Sequence, residues 1–126
     1  MKFKALNMGN YHKMEVWKQS KDLAVNIYHL TNHGKFTKDY SFRDQIRRAA
    51  ISVPSNLAEG EESLFSKVSI KFFNIAYSSL AELRTQIEIS KEIGYLDEAE
   101  YDKIERSMAV LSKRINKLIQ YRKGHL

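Results

Sequence analysis

Three internal glycines, Gly34, Gly60 and Gly94, divide the chain into four pieces that each repeat apolar residues at helical spacing. Spacings of three and four residues place these side chains on one side of a helix, where another element must cover them. The pattern therefore predicts an all-α fold. Because the connections between the pieces are short, the expected architecture is an antiparallel four-helix bundle that runs up-down-up-down.

The predicted helices cover residues 14–31, 40–58 and 66–93, with a fourth beginning after Asp97. Either Asp39 or Ser41 suits the N-cap of the second helix, and Asp97 suits that of the fourth. Gly94 is expected to end the third helix. That helix carries one apolar row and a second, mixed row, and this width suggests more than one packing neighbour. The first row is Phe72, Ala76, Leu80, Leu83 and Ile87, and the second is Val68, Ile75, Ser79, Glu82, Gln86 and Ile89.

The only proline, Pro54, falls inside the second predicted helix. A proline there removes one backbone hydrogen bond and crowds the carbonyl of Ala50, at a cost of about 3 kcal/mol. The sequence therefore predicts a kink at Pro54. Asn56, Glu59 and Gly60 are then expected to close this helix and turn the chain into the third.

Composition fits one domain spanning residues 1–126, with an ordered core at about 14–122 and loose ends in the first ten residues and the last few. The absence of cysteine excludes disulfides and thiolate metal sites, and it suits the cytoplasm. No signal peptide and no membrane-spanning segment are expected, because no apolar run is long enough.

Basic residues provide the strongest indication of a ligand. The net charge is +6, and the last 24 residues contain seven Lys or Arg against one acid, Glu105. Such a surface suits the phosphates of RNA or DNA, and no base-reading motif is visible. A solvated helix surface is the alternative interpretation. Asp44 is expected to pair with Arg48, which would leave Arg47 the freer of the two arginines. The candidate nucleic-acid-binding residues are Arg43, Arg47, Lys113, Arg114 and Lys117.

Polar residues at inward-facing positions predict a buried network that fixes helix register. An unpaired buried charge is too costly to keep, so these groups are expected to bond to one another. The alternative is an active site, which would require Glu59 and Glu82 to line an open pocket. The predicted structural network consists of Arg48, Asn56, Glu59, Glu82 and Gln86.

Other chemistry finds no support in the sequence. Cysteine nucleophiles, a Gly-rich phosphate loop and the Glu-x-x-His motif of carboxylate-bridged bundles are all missing. We therefore expect no catalytic residue, no metal and no cofactor. Apolar residues outside the main rows instead predict a subunit interface, with apolar residues scattered over the surface as the alternative. These residues are Ile51, Phe65, Phe73, Tyr77, Val110 and Tyr121.

Several segments together resemble the 23S rRNA intervening-sequence protein family, also called the four-helix-bundle protein family, over about residues 16–121. They are Glu-Val-Trp-Lys at 15–18, Gln-Ile-Arg-Arg-Ala-Ala at 45–50, Ser-Val-Pro-Ser-Asn-Leu-Ala-Glu-Gly at 52–60, Ser-Leu-Ala-Glu-Leu at 79–83 and Gly-Tyr-Leu at 94–96.

The resemblance implies a bacterial, non-enzymatic four-helix bundle whose molecular role is mostly unassigned. It also implies similarity to the accessory protein of diversity-generating retroelements, a basic pentameric barrel that works with nucleic acid. On that ground we expect a homo-oligomer, with five subunits, that binds RNA or DNA. The alternative is a module for a protein partner, in which the basic charge is incidental.

Overall fold

The computed structural model describes residues 10–125, and four helices account for most of them. They are α1 (Glu15–Leu30), α2 (Tyr40–Glu62), α3 (Ser66–Glu92) and α4 (Glu98–Lys123). Short 3-10 turns, Tyr11–Lys13 and Gly34–Lys38, precede α1 and α2, and the described residues form no strand. The prediction of an all-α chain with four helices is therefore confirmed. Most of the predicted loose N-terminus, residues 1–9, and the terminal residue 126 lie outside the described part.

Three predicted helix ends are confirmed by their hydrogen bonds. The Asp39 carboxylate accepts the N–H of Phe42 at 3.3 Å and caps α2. Asp97 caps α4 reciprocally, because it accepts the N–H of Glu100 while the Glu100 carboxylate accepts the N–H of Asp97. Gly94 follows α3 with a φ of +82°, a left-handed conformation that favours glycine.

The core lies among the four helices, each of which packs against its two neighbours. The α2–α3 pairing is the most extensive, and the α1–α4 pairing is the least. The turn before α2 also contributes to the core: Phe36 is buried and packs edge-to-face with Tyr95, at 5.2 Å between ring centroids. The largest fully buried side chains are Ile27, Phe36, Ile46, Val53, Leu57, Phe73, Leu80, Leu83, Ile87, Met108 and Ile115.

The prediction for α3 is correct for one row of residues and wrong for most of the other. Ala76, Leu80, Leu83 and Ile87 are buried as expected. Phe73, which was predicted to lie in a subunit interface, is instead fully buried in the core, whereas the neighbouring Phe72 is only partly buried. In the second row Ser79 and Gln86 are buried, but the remaining members, Val68, Ile75, Glu82 and Ile89, are exposed.

Gly60 explains why Phe73 reaches the interior. Instead of ending near Ala58, α2 continues through Gly60 to Glu62, and Gly60 is buried against α3. The hydroxyl of Ser69 donates to the Gly60 carbonyl at 2.6 Å. A Cβ at this position would lie 2.5 Å from Cε1 of Phe73 and 3.0 Å from the Ser69 carbonyl oxygen. Gly60 therefore permits a close approach between two helices and does not act as a helix terminator.

Replacing Gly60 with alanine tests this contact. Alanine is the better helix former by about 1 kcal/mol, so propensity alone predicts a gain in stability. We expect Gly60→Ala to lower the free energy of unfolding by about 1–3 kcal/mol, because the buried Phe73 ring cannot move away easily.

Urea denaturation provides the measurement, with Gly124→Ala as control. Gly124 ends α4 in a right-handed conformation, and a Cβ there would make only ordinary contacts at 3.6 Å. The control is expected to be near neutral. A stabilised Gly60→Ala protein would contradict the close-approach interpretation.

Candidate nucleic-acid interface

The five candidate basic residues do not form one surface. Arg43 and Arg47 lie on α2, whereas Lys113, Arg114 and Lys117 lie on α4. Within the described residues, the backbones of α2 and α4 do not pack against each other, and the bond between Arg122 and Glu61 at their ends is made by long side chains. A ligand that contacts both sets would have to pass around the bundle.

Arg47 joins α2 to the end of α1. Its Nε donates to the Thr31 hydroxyl at 2.8 Å and its Nη2 donates to the Tyr28 carbonyl at 3.3 Å. The guanidinium also lies 4.5 Å from the centroid of the Tyr28 ring. Thr31 is fully buried and donates to the Ile27 carbonyl at 2.7 Å. The bonds to the Tyr28 carbonyl supply partners for a group in the last turn of α1, whereas the Ile27 carbonyl also accepts the backbone N–H of Thr31.

The prediction that Arg47 is the freer arginine is therefore wrong. Arg48 is the exposed one, and Asp44 lies 3.8 Å from Arg43 instead of pairing with Arg48. The reason is that Arg47 faces the carbonyl oxygens at the end of α1, whose position cannot be known from α2 alone. Arg43 is partly exposed and lies 5.1 Å from the centroid of the Tyr40 ring, so it keeps some access to a ligand.

The basic residues of α4 are exposed and follow one another along the helix. Lys113, Arg114 and Lys117 all face solvent. Lys103 and Arg106, which precede them on the same helix, line a groove of about 470 Å³ between α1 and α4. Sequence reasoning left these two out of the candidate site, although their spacing to Lys113 and Lys117 was a usable signal.

Acidic residues partly neutralise the positive charge of the groove between α1 and α4. Asp22 lines it beside Lys103 and Arg106, and Glu100 lines an adjoining cavity of about 300 Å³. The excess of positive charge therefore begins beyond the groove, where α4 carries Lys113, Arg114 and Lys117. Phosphate contacts are most favourable there.

Two ion pairs decide which other charges remain available. Glu105 forms a two-bond pair with Arg84 of α3, and this hydrogen bonding raises the pKa of Arg84. Arg122 donates to Glu61 of α2 at 2.5 Å and lies 5.1 Å from the centroid of the Phe73 ring. Glu105 thus does little to neutralise the positive charge of the α4 lysines. Arg122 links α4 to α2 and is not free to bind a ligand.

The predicted polar network is two smaller sets instead of one. Asn56 donates to the backbone and hydroxyl oxygens of Ser52, whose hydroxyl lies 2.7 Å from that of Ser79. Separately, Gln86 donates to Glu82 at 3.4 Å. Glu59 and Arg48 are exposed, and neither joins these bonds within the described residues. The centre of the first set is Ser52, which only its spacing of four residues from Asn56 could have indicated.

The arrangement of carboxylates does not meet the condition set for an active site. Glu82 lines an open groove of about 330 Å³ together with Arg48, Ser52 and Ser79, but Glu59 does not line it. Within residues 10–125, no three His, Asp or Glu side chains cluster closely enough to hold a metal ion. None of the helices in that range has the length and apolar character needed to cross a bilayer.

The region from the start of the first 3-10 turn to the basic stretch of α4 matches a known family. A family model described as 23S rRNA-intervening sequence protein matches residues 12–117. The chain belongs to this family. The resemblance inferred from the sequence is thereby confirmed, and the match includes both basic sets and the Ser52–Asn56–Ser79 bonds.

A solved structure from the S23 ribosomal protein family has the same fold. It is the crystal structure, at 1.70 Å, of a protein with unknown function from Bacteroides thetaiotaomicron VPI-5482. The TM-score is 0.76, with 24% sequence identity over 82% of this chain and 97% of that chain. Likeness at this identity establishes the fold alone. No curated protein matches the chain.

The adjacent arginines of α2 offer a matched pair for testing the role of Arg47. We expect Arg47→Ala to lower the free energy of unfolding by about 1–3 kcal/mol, because it leaves the bonds to Thr31 and Tyr28 unmade. Arg48→Ala removes the same side chain from an exposed position and should change stability by less than about 0.5 kcal/mol. Urea denaturation of both variants provides the comparison, and equal effects would rule out a special role for Arg47.

Proposed function

We propose that this member of the family is a non-catalytic protein that binds the backbone of RNA or DNA through the basic surface of α4. The observation that supports this proposal is that Lys113, Arg114 and Lys117 are all exposed on one helix. Within the described residues, none of the three lies within 4 Å of a carboxylate. Exposed cations without internal partners are available to neutralise phosphates and release counterions.

Arg43 and Arg106 extend this proposal in different ways. Arg106 lies on the same helix as the three exposed cations, at the wall of the α1–α4 groove, and can add a further phosphate contact. Arg43 is on α2 and would serve only a ligand that wraps around the bundle. Arg47 supports the fold through its bonds to Thr31 and Tyr28, so we give it no direct contact with nucleic acid.

We also propose self-association, through the exposed side of α3. A row of residues at alternating spacings of four and three runs along α3 to Ile93, the residue after the helix. This is the spacing of a helix–helix seam. Ser79 and Gln86 of this row are buried within the bundle, and the others are partly or fully exposed: Val68, Phe72, Ile75, Glu82, Ile89 and Ile93. Its apolar ends are exposed, at 40% for Val68, 39% for Ile75, 43% for Ile89 and 48% for Ile93. A ring of five subunits is what the resemblance implies, and it would repeat the basic surface around the assembly.

The finer architecture is part of the same proposal. An up-down-up-down order is supported by contacts in which sequence numbers rise on one helix as they fall on its neighbour. Gly60 meets Ser69 while Ser52 meets Ser79, and Arg84 meets Glu105 while Lys91 meets Tyr101. A bend of α2 at Pro54 is supported by the hydrogen bond that this residue cannot donate to Ala50. The lack of cysteine supports a cytoplasmic location.

A protein-interaction module is the second candidate. The observation that favours it is the connection between α2 and α3, where Leu64 is 73% exposed and Phe65 is 69% exposed. Two large apolar side chains side by side in a loop suit a protein partner, and the basic charge would then be incidental. This candidate predicts no affinity for nucleic acid at low salt.

Salt dependence of binding tests the proposed function directly. We expect the unmodified protein to bind single-stranded RNA or duplex DNA at low salt, with a Kd that rises steeply with salt. The variant Lys113→Ala/Lys117→Ala should bind more weakly. Its slope of log K against log salt should be shallower by about 0.7 for each lysine on a single strand, or about 0.9 on a duplex.

The matched control is Lys67→Ala/Lys71→Ala, which removes the same charge from exposed positions on α3. Fluorescence anisotropy titrations at several salt concentrations provide the slopes. An equal change in slope for both double variants would show that net charge matters and the α4 surface does not. Absence of binding by the unmodified protein would eliminate the proposal in favour of a protein partner.

The mass in solution tests the assembly. We expect a particle of five times the 14.7 kDa chain, and Ile75→Glu/Ile89→Glu should shift it to the single-chain mass without unfolding the helices. Val25→Glu, at a position 47% exposed on α1, is the control and should leave the mass unchanged. Light scattering after size exclusion and far-UV circular dichroism give the two readouts. A single-chain mass for the unmodified protein would refute self-association.

A further inference from the structure

A cluster of three rings lies where the chain enters α1, and the basic surface of α4 does not include it. Tyr11 and His12 belong to the 3-10 turn, and Trp17 belongs to the first turns of α1. The rings of Tyr11 and His12 are stacked, with centroids 4.2 Å apart and planes inclined by 27°. Trp17 meets both edge-on, at 4.9 Å from Tyr11 and 5.1 Å from His12.

The three rings differ in burial, and packing against the bundle accounts for the positions of only two of them. Trp17 is partly buried and packs against the core, and Tyr11 is partly buried beside it. Both therefore contribute to closing the end of the bundle. His12 is exposed, so its ordered position adds little to the core. The result is an imidazole held from behind by Tyr11 and at its edge by Trp17, with access to solvent.

Three lysines, Lys13, Lys18 and Lys21, and one exposed acid, Glu15, lie near the cluster in the sequence. Lys13 and Lys18 are exposed, and neither lies within 4 Å of a carboxylate within the described residues. Lys21 pairs with Asp22 at 3.0 Å and lies 5.9 Å from the centroid of the Trp17 ring. Aromatic rings flanked by cations are the combination that single-stranded nucleic acids bind, because bases stack on rings while phosphates meet the charges.

Along the bundle axis the cluster lies at the same end as the basic stretch of α4, although among the described residues its 3-10 turn packs against α1 and α2 and not against α4. Leu30 shares one cavity with Glu100 and Ile104, whereas Gln19 shares the adjoining groove with Val110 and Leu111. Going toward the start of α1 therefore corresponds to going toward the end of α4. The cluster, which precedes Gln19, accordingly lies toward the part of α4 that follows Leu111 and carries Lys113 and Lys117.

We propose that Tyr11, His12 and Trp17 form a stacking platform for an unpaired base of a single-stranded nucleic acid. The base stacks on the exposed His12 ring, and the neighbouring phosphates contact Lys13 and Lys18. This inference rests on the proposed function, since a strand held by the α4 surface reaches the platform by crossing the end of the bundle that both share. A duplex cannot use the platform, because its bases are already stacked and paired. The protein therefore prefers single strands.

Two substitutions of His12 distinguish stacking from other roles. His12→Ala removes the ring and should raise the Kd for a short oligouridine about fivefold or more. His12→Phe keeps a flat ring without hydrogen-bonding nitrogens and should retain the affinity. Neither should change the Kd for a duplex of the same charge. His29→Ala, an exposed histidine of α1 without a stacked neighbour among the described residues, is the control and should bind normally.

Two further readouts come from the chain itself. Trp17 is the only tryptophan, so its fluorescence reports on the platform alone. Oligouridine should change this emission, and the duplex should not. The effect of His12→Ala on the Kd should be the same at every salt concentration, because stacking releases no counterions, whereas loss of α4 lysines changes the salt slope.

The outcomes separate this inference from the function on which it rests. If the unmodified protein binds neither single strands nor duplexes at low salt, the proposed function fails and the platform fails with it. If it binds both, but His12→Ala binds oligouridine normally or Trp17 emission does not respond, only the platform is refuted. Equal losses for His12→Ala and His12→Phe would also refute stacking, because they would point to an imidazole nitrogen.

Discussion

The close approach of α2 and α3 at Gly60 is the contact on which the rest of the bundle depends. The missing side chain lets the Phe73 ring enter the interior, and the Ser69 hydroxyl donates to the buried Gly60 carbonyl. Arg122 of α4 then covers Phe73 and pairs with Glu61, one residue after Gly60. Three helices are thus fixed at a single point, and the most extensive pairing of the fold grows from it.

Internal pairing also decides which charges the protein can offer to a ligand. Arg47, Arg84 and Arg122 each bond to residues of another helix, so these three cations connect helices of the bundle. The exposed lysines of α4 and of the chain entry have no such task. A net charge of +6 is therefore less informative than its division into cations that hold helices and cations that face solvent.

Local sequence patterns were sufficient for the four helices and for three of their ends, because caps and apolar periodicity act within one element, but they failed for the end of α2. Asp39, Asp97 and Gly94 illustrate this. Patterns were insufficient wherever the answer lay on a neighbouring helix. Phe72 and Phe73 differ by about 100° around α3, and only the approach of α2 selects between them. Arg47 and Arg48 pose the same choice, which the end of α1 decides. The cluster of Tyr11, His12 and Trp17 was not predicted, because the 3-10 turn before α1 is what brings the three rings together.

The contact between α1 and α4 is the least extensive in the bundle, so the resistance to local opening differs from one pair of helices to another. Helix α1 packs mainly against α2. The bonds that Arg47 makes to Thr31 and Tyr28, at the C-terminal end of α1, are among its few hydrogen bonds to another helix. Local opening costs least where buried contacts are fewest. The contact between α1 and α4 is consequently where the bundle opens at the lowest cost. Amide hydrogens along these two helices then exchange with solvent sooner than those of α2 and α3, and a strand bound along the groove would hold this contact closed.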